Sequence, residues 1–150
     1  MNNNFLSQAD RISHFASKLD AKQEYKKALK NYKFALKIYT KCKEPSGVTT
    51  CFNNIGLIYL NLKRYSKALS VFKSGLNICH TLDNTPDNML AYALFLIHIG
   101  DVYTEQGKYS NTLKYFKKAL PILENNDWFK KEGRYVLDHV SDFIESVKKY

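Results

Sequence analysis

Proline, glycine and cysteine are all scarce in this chain of 150 residues, at 3, 6 and 3. That composition excludes collagen-like and mucin-like chains and small disulfide scaffolds. Cys42, Cys51 and Cys79 are odd in number and form no C-x-x-C pair, so they read as structural thiols in a reducing compartment. Long apolar runs are missing too. The longest, Met89 to Ile99, is far short of the roughly 20 residues of a membrane helix, and His98 interrupts it. The opening residues, Met1 to Leu6, lack the basic and apolar regions of a secretory signal. The expected setting is therefore soluble and cytoplasmic, with no membrane contact.

Catalytic signatures are equally sparse. The sequence contains no G-x-x-x-x-G-K-[ST], G-x-G-x-x-G or G-x-S-x-G, which removes the usual phosphate cradles and nucleophile elbows. Cys79 and His80 are sequence neighbours, which on a helix point to different faces. Carboxylates are scattered. Paired acid–base chemistry needs two in a shielded cleft. The expectation is a protein that is not an enzyme and uses no cofactor. His98/Asp101 and His139/Asp142 each have the i,i+3 spacing that puts two ligands on one helical face, but no tight metal motif accompanies them. No metal is expected.

Arginine is also rare: of 23 basic residues only Arg11, Arg64 and Arg134 are arginines. Nucleic-acid readers favour its planar fork, so a net charge of +9 supports nucleic-acid binding only weakly. The A/T-rich codons of Lys, Asn, Tyr and Ile offer a compositional source for much of that charge.

What the chain does have is a globular balance and a repeat. Hydrophobic residues are 45% and charged residues 25%, and a chain this long buries roughly 68–70% of its unfolded surface. Three segments align: Ala16 with Tyr25, Ala28-Leu29, Tyr32 and Ala35-Leu36; Gly56 with Tyr59, Tyr65, Ala68-Leu69, Phe72 and Gly75-Leu76; Gly100 with Tyr103, Tyr109, Leu113, Phe116 and Ala119-Leu120. The small residues are 40 and then 44 positions apart. Within each segment the apolar residues step by three and four, the spacing of one helical face. Thr85-Pro86-Asp87 supplies an N-cap, a proline at the first helical position and an acid in the first turn. No strand-like alternation is present. The fold is expected to be all-α.

These residues resemble the tetratricopeptide repeat family, through Ile55, Gly56, Tyr59, Ala68 and Phe72 in the second unit and Ile99, Gly100, Tyr103, Phe116 and Ala119 in the third. The first unit is weaker, with Ala16 and Leu19 in place of Gly and Tyr. Gly75 and Thr112 replace the usual Ala, and Pro121 falls where it should end or kink the last helix of unit three. The resemblance implies a right-handed superhelical solenoid of three helical hairpins, at roughly 9–42, 49–82 and 93–126, in one domain. The spacing looks like that of the family's extended repeats. The segment 127–150 is expected to form a single capping helix with an apolar face of Leu137, Val140, Phe143, Ile144 and Val147.

The family's first helices line a concave groove, and the register places His14, Asn54, His98 and, by extension, His139 in one column. Around them fall Ser17, Asn53, Leu57, Asn61, Asp101 and Glu105. The implied function is a non-catalytic adaptor holding a segment of another protein there. Asp10, Asp20, Asp138 and Asp142 make the groove acidic-leaning and suited to a basic peptide or helix. The family's clamp for chaperone carboxylates is excluded, since only Asn54 matches and Ser13, Ser17, Leu94 and His98 supply no fixed cation. Lys22, Lys26, Lys30, Lys33, Lys37 and Lys41 form a stripe on the second helix of unit one, read as a solvated face. The alternatives are a nucleic-acid-associated protein using that stripe, and a peptide-sensing regulator. Phe34 and Ile38 are expected to pack under the next unit, and Trp128 against unit three.

Overall fold

The three- and four-residue apolar steps fold as helices throughout. The structure, a computed structural model, describes residues 2–148. Among these residues there is no strand, and eight helices follow in order: α1 (Asn2–Ala21), α2 (Tyr25–Lys41), α3 (Pro45–Asn61), α4 (Tyr65–His80), α5 (Pro86–Glu105), α6 (Tyr109–Asn125), α7 (Asp127–Lys131) and α8 (Arg134–Lys148). Near the end of α4 the chain divides into two compact units, one up to Ile78 and one from Cys79.

In unit 1, α2 packs against both α1 and α3, and α1 also touches α3. The small residues of the repeat decide how closely the helices meet. A methyl group added at Gly56 of α3 would run into the Phe72 ring of α4, and one at Gly47 would run into Tyr39 of α2. Tyr32 and Phe72 are fully buried, each such ring contributing roughly 1.5–3 kcal/mol through removal from water. Tyr39 also donates a 2.6 Å hydrogen bond to Asp10 Oδ1, tying α2 to α1.

Unit 2 repeats the device. Gly100 of α5 lies under the Phe116 ring of α6, and α6 in turn packs on α7 and α8. Thr112, a departure from the repeat pattern, is fully buried. Its hydroxyl donates to the Gly100 carbonyl at 3.2 Å and meets the Thr104 hydroxyl at 3.0 Å. The extra oxygen is therefore satisfied across the hairpin.

The backbone between helices repeats as well. Gln23, Lys43, Lys63 and Gly107 all have positive φ. The next residue in each turn donates its N–H five positions back: Glu24 to Leu19, Glu44 to Tyr39, Arg64 to Tyr59, Lys108 to Tyr103. These are Schellman caps, which close a helix and reverse the chain in three residues. Two 17-residue helices, α2 and α3, joined by such turns account for the 40-residue step. The longer link from His80 to Pro86 accounts for the step of 44; there the Thr85 side chain caps α5 by accepting from Asn88 N–H.

Two expectations are corrected. Of the two outcomes expected of Pro121, an end or a kink, the end does not occur: α6 continues to Asn125. The carbonyl that loses its helical donor belongs to Lys117, an exposed residue that water can serve. The segment from 127 is two helices rather than one, broken around Gly133, which is buried against the Trp128 and Phe129 rings. Val140 and Ile144 of its expected apolar face are buried, while Leu137, Phe143 and Val147 are half-buried; residues 149 and 150 lie outside the described residues.

Candidate interaction surface

In unit 1 the candidate residues sit on α1 and α3, which touch. His14 and Ser17 of α1 and Asn61 of α3 are exposed; Asn53, Asn54 and Leu57 are half-buried. At 100° per residue Asn54, Leu57 and Asn61 project from one side of α3. The Ser13 hydroxyl hydrogen-bonds the Cys51 thiol, linking the two helices just beneath this side, and burial pushes that thiol up to about 12. Asn53 Oδ1 is buried and has no hydrogen-bond partner. Leaving such a group unsatisfied costs about 1–3 kcal/mol, which a rotation towards an incoming donor would relieve.

In unit 2 two side chains of the predicted column, His98 and His139, meet Asp101 from beside it. Asp101 Oδ1 lies 3.1 Å from His139 Nε2, and Asp101 Oδ2 lies 3.8 Å from His98 Nδ1. One carboxylate thus joins α5 to α8, and the His139 ring also meets the Phe116 ring edge-on at 5.5 Å. Each imidazole approaches a different oxygen of the same carboxylate. Among the described residues no group of three or more His, Cys, Asp or Glu side chains is arranged to hold a metal ion. Glu105, one turn further along α5, is exposed.

The acidic residues assigned to the groove divide by environment. Asp10 accepts from Tyr39, Asp101 is engaged by the two histidines, and Asp138 pairs with Arg134 at 3.0 Å. Asp20 is half-buried, and burial pushes its carboxyl up. Glu105 and Asp142 are exposed. Sequence spacing placed these residues on faces; it carried no signal for the partners that hold three of them.

The lysine stripe is exposed along its length. Lys22, however, lies in the turn before α2, so on the helix the stripe runs from Lys26 to Lys41. Phe34 does not pack under a neighbour: it is 51% exposed, because it projects about 200° round the helix from the buried Tyr32. Ile38 is half-buried. Trp128 is 40% exposed. It covers Gly133 and lines a hollow of about 600 Å³ with residues of α5 and α6, including Met89, Leu90 and Ile122.

The tetratricopeptide repeat profile matches this chain twice, over residues 49–79 and 93–122. Two tetratricopeptide repeats are thus carried by these residues. A TPR-like protein from Chlorobium tepidum has a similar structure, with a TM-score of 0.75 and 14% identity over 98% of both chains. The N-terminal domain of stress-induced protein-1 from C. elegans is similar with a TM-score of 0.69 and 14% identity, over 93% of this chain and 96% of that domain. BtubC (BKLC) from P. vanneervenii aligns with a TM-score of 0.68 and 18% identity, over 95% of this chain and 65% of its own. No curated protein matches by sequence. Tetratricopeptide repeats are in general protein-interaction modules, and the chain is a scaffold in that general sense. No helix among the described residues is long and apolar enough to cross a membrane.

Proposed function

We propose that this repeat chain is a non-catalytic adaptor that holds extended segments of a partner protein against the polar faces of its first helices. In unit 1 the contact surface is His14 and Ser17 with Asn53, Asn54, Leu57 and Asn61; in unit 2 it is His98, Asp101 and Glu105. The observation that carries this reading is the contact of α1 with α3, tied by the Ser13–Cys51 hydrogen bond, each helix presenting a row of donors and acceptors. Such rows suit the amides and carbonyls of an extended backbone. Asn53, with an acceptor that finds no donor, fits the same role. The carboxylates of Asp101 and Glu105 favour Lys or Arg in the segment bound to unit 2.

Fluorescence anisotropy with labelled peptides tests the proposal. A peptide bearing Lys and Arg is expected to bind, and the variant Asp101→Asn/Glu105→Gln to bind it more weakly, with rising salt acting in the same direction. Equal or tighter binding of an all-acidic peptide would overturn the charge preference assigned to this face.

A further inference from the structure

The other side of α3 carries a second feature. About 160° round the helix from Asn54, Leu57 and Asn61, the side chains of Phe52, Ile55 and Tyr59 line a cleft of about 290 Å³. Leu36 of α2 and Val71 of α4 line it as well. Ile55 and Tyr59 are deep in it, Tyr59 being 6% exposed. Lys33 from α2 and Lys67 from α4 both reach the Tyr59 ring, each ammonium 5.7 Å from its centroid. Both lysines are exposed, and among the described residues neither has a carboxylate within ion-pair distance. An apolar hollow between two ammonium groups is thereby held in place by packing and by cation–π attraction.

The surroundings reinforce that charge. Residues 25–78, which span α2, α3 and all but the end of α4, contain eleven Lys and Arg and a single acid, Glu44. Residues 79–150 contain nine basic and ten acidic residues. The net positive charge of the protein therefore resides on the helices that build the cleft. Fields of this kind concentrate ligands of opposite sign.

We infer that this cleft is a second docking site, for an acidic peptide segment of a partner protein that inserts one aliphatic or aromatic side chain between Lys33 and Lys67. The volume fits that occupant: it lies just below the roughly 300–1,000 Å³ of sites that enclose a whole small molecule. The flanking Asp or Glu side chains of the segment meet the two ammonium groups and the lysines of α2. RNA fits less well. Its bases need exposed aromatic faces to stack on, whereas Tyr59 is buried beneath the lysines, and no arginine lines the cleft. The site is separate from the polar side of α3, so it stands or falls independently of the basic-peptide contact proposed there.

The test uses three labelled probes: a short peptide with a Leu-Phe pair flanked by Asp and Glu, the same peptide with Asn and Gln in their place, and single-stranded poly-uridine RNA. The acidic peptide is expected to bind, the neutral one to bind roughly tenfold more weakly, and Lys33→Glu/Lys67→Glu to produce a comparable loss. Lys117→Glu/Lys118→Glu on α6 makes the same change in net charge and is expected to leave binding within roughly twofold. Val71→Glu, which charges the wall of the cleft, is expected to weaken the acidic peptide too. Unfolding curves confirm that each variant is folded before it is compared. Equal losses from the α2/α4 and α6 charge reversals would overturn the site, as would RNA binding more tightly than the acidic peptide and displacing it.

Discussion

Gly56 and Gly100 hold positions where two helices meet through a hydrogen atom on one side and a phenylalanine ring on the other. Alanine at either position raises helix propensity by roughly 1 kcal/mol, but its methyl group requires the buried ring to move. Overpacking of a tight core costs about 1–3 kcal/mol, so Gly56→Ala and Gly100→Ala are each expected to lower stability in urea unfolding. An unchanged or higher midpoint would mean that the rings are not closely packed there. The sequence made these two glycines legible through their offset from Tyr and Phe. It did not reveal Thr112, whose hydroxyl looked like a defect in the pattern until the Gly100 carbonyl and Thr104 supplied its partners.

The buried thiols and phenols make a second prediction at this scale. Burial pushes Cys51 up to about 12 and Cys79 up to about 11 from an ordinary 9.0, and raises Tyr32 and Tyr39 from 10.0. For Tyr39 the Asp10 carboxylate acts in the same direction as burial. In each case the unfolded chain loses its proton at lower pH than the folded one. Their contribution to stability is therefore complete below about pH 9 and declines as pH rises towards 11–12. Thermal melts should show a falling midpoint above pH 9, with a smaller fall in Cys51→Ala/Cys79→Ala. A flat profile would contradict the burial of these groups.

Among the elements, the turns were least visible in the sequence. Three of the four Schellman caps place Gln23, Lys43 or Lys63 in the left-handed region, where glycine is the common choice. A reader of the sequence looks for glycine at such a helix end and finds it at one of these four, Gly107. For a residue with a Cβ this conformation costs roughly 1–2 kcal/mol, offset in part by the greater freedom glycine adds to the unfolded chain. Lys63→Gly is therefore expected to raise stability by about 0.5–1 kcal/mol, readable as a higher urea midpoint with unchanged slope. Destabilisation would show that the Lys63 side chain supports the turn in another way. The helices themselves were legible because three- and four-residue apolar spacing persists over whole segments. Pro121 misled because the carbonyl it frees, on exposed Lys117, is open to water, and the helix runs on. The break near Gly133 was hidden because the apolar residues after it keep a helical spacing.

Across the whole molecule, two compact units carry different charge, and the candidate surfaces follow that division. Composition gave the net value of +9, and the lysine stripe located part of it. That α4 adds a lysine to the same cleft as α2 required the fold, since Lys33 and Lys67 meet only over the Tyr59 ring of α3. The sequence register put His98 and His139 in one column, whereas their joining through Asp101 depends on where α8 packs. The central claim is that partner binding runs through the polar faces of the first helices. Its most direct test is affinity capture after nuclease treatment, comparing the wild-type chain with Asn54→Ala/His98→Ala. The account predicts a protein partner that survives nuclease and is lost from the double variant. Capture that is unaffected by the substitutions, or that disappears with nuclease, would contradict it.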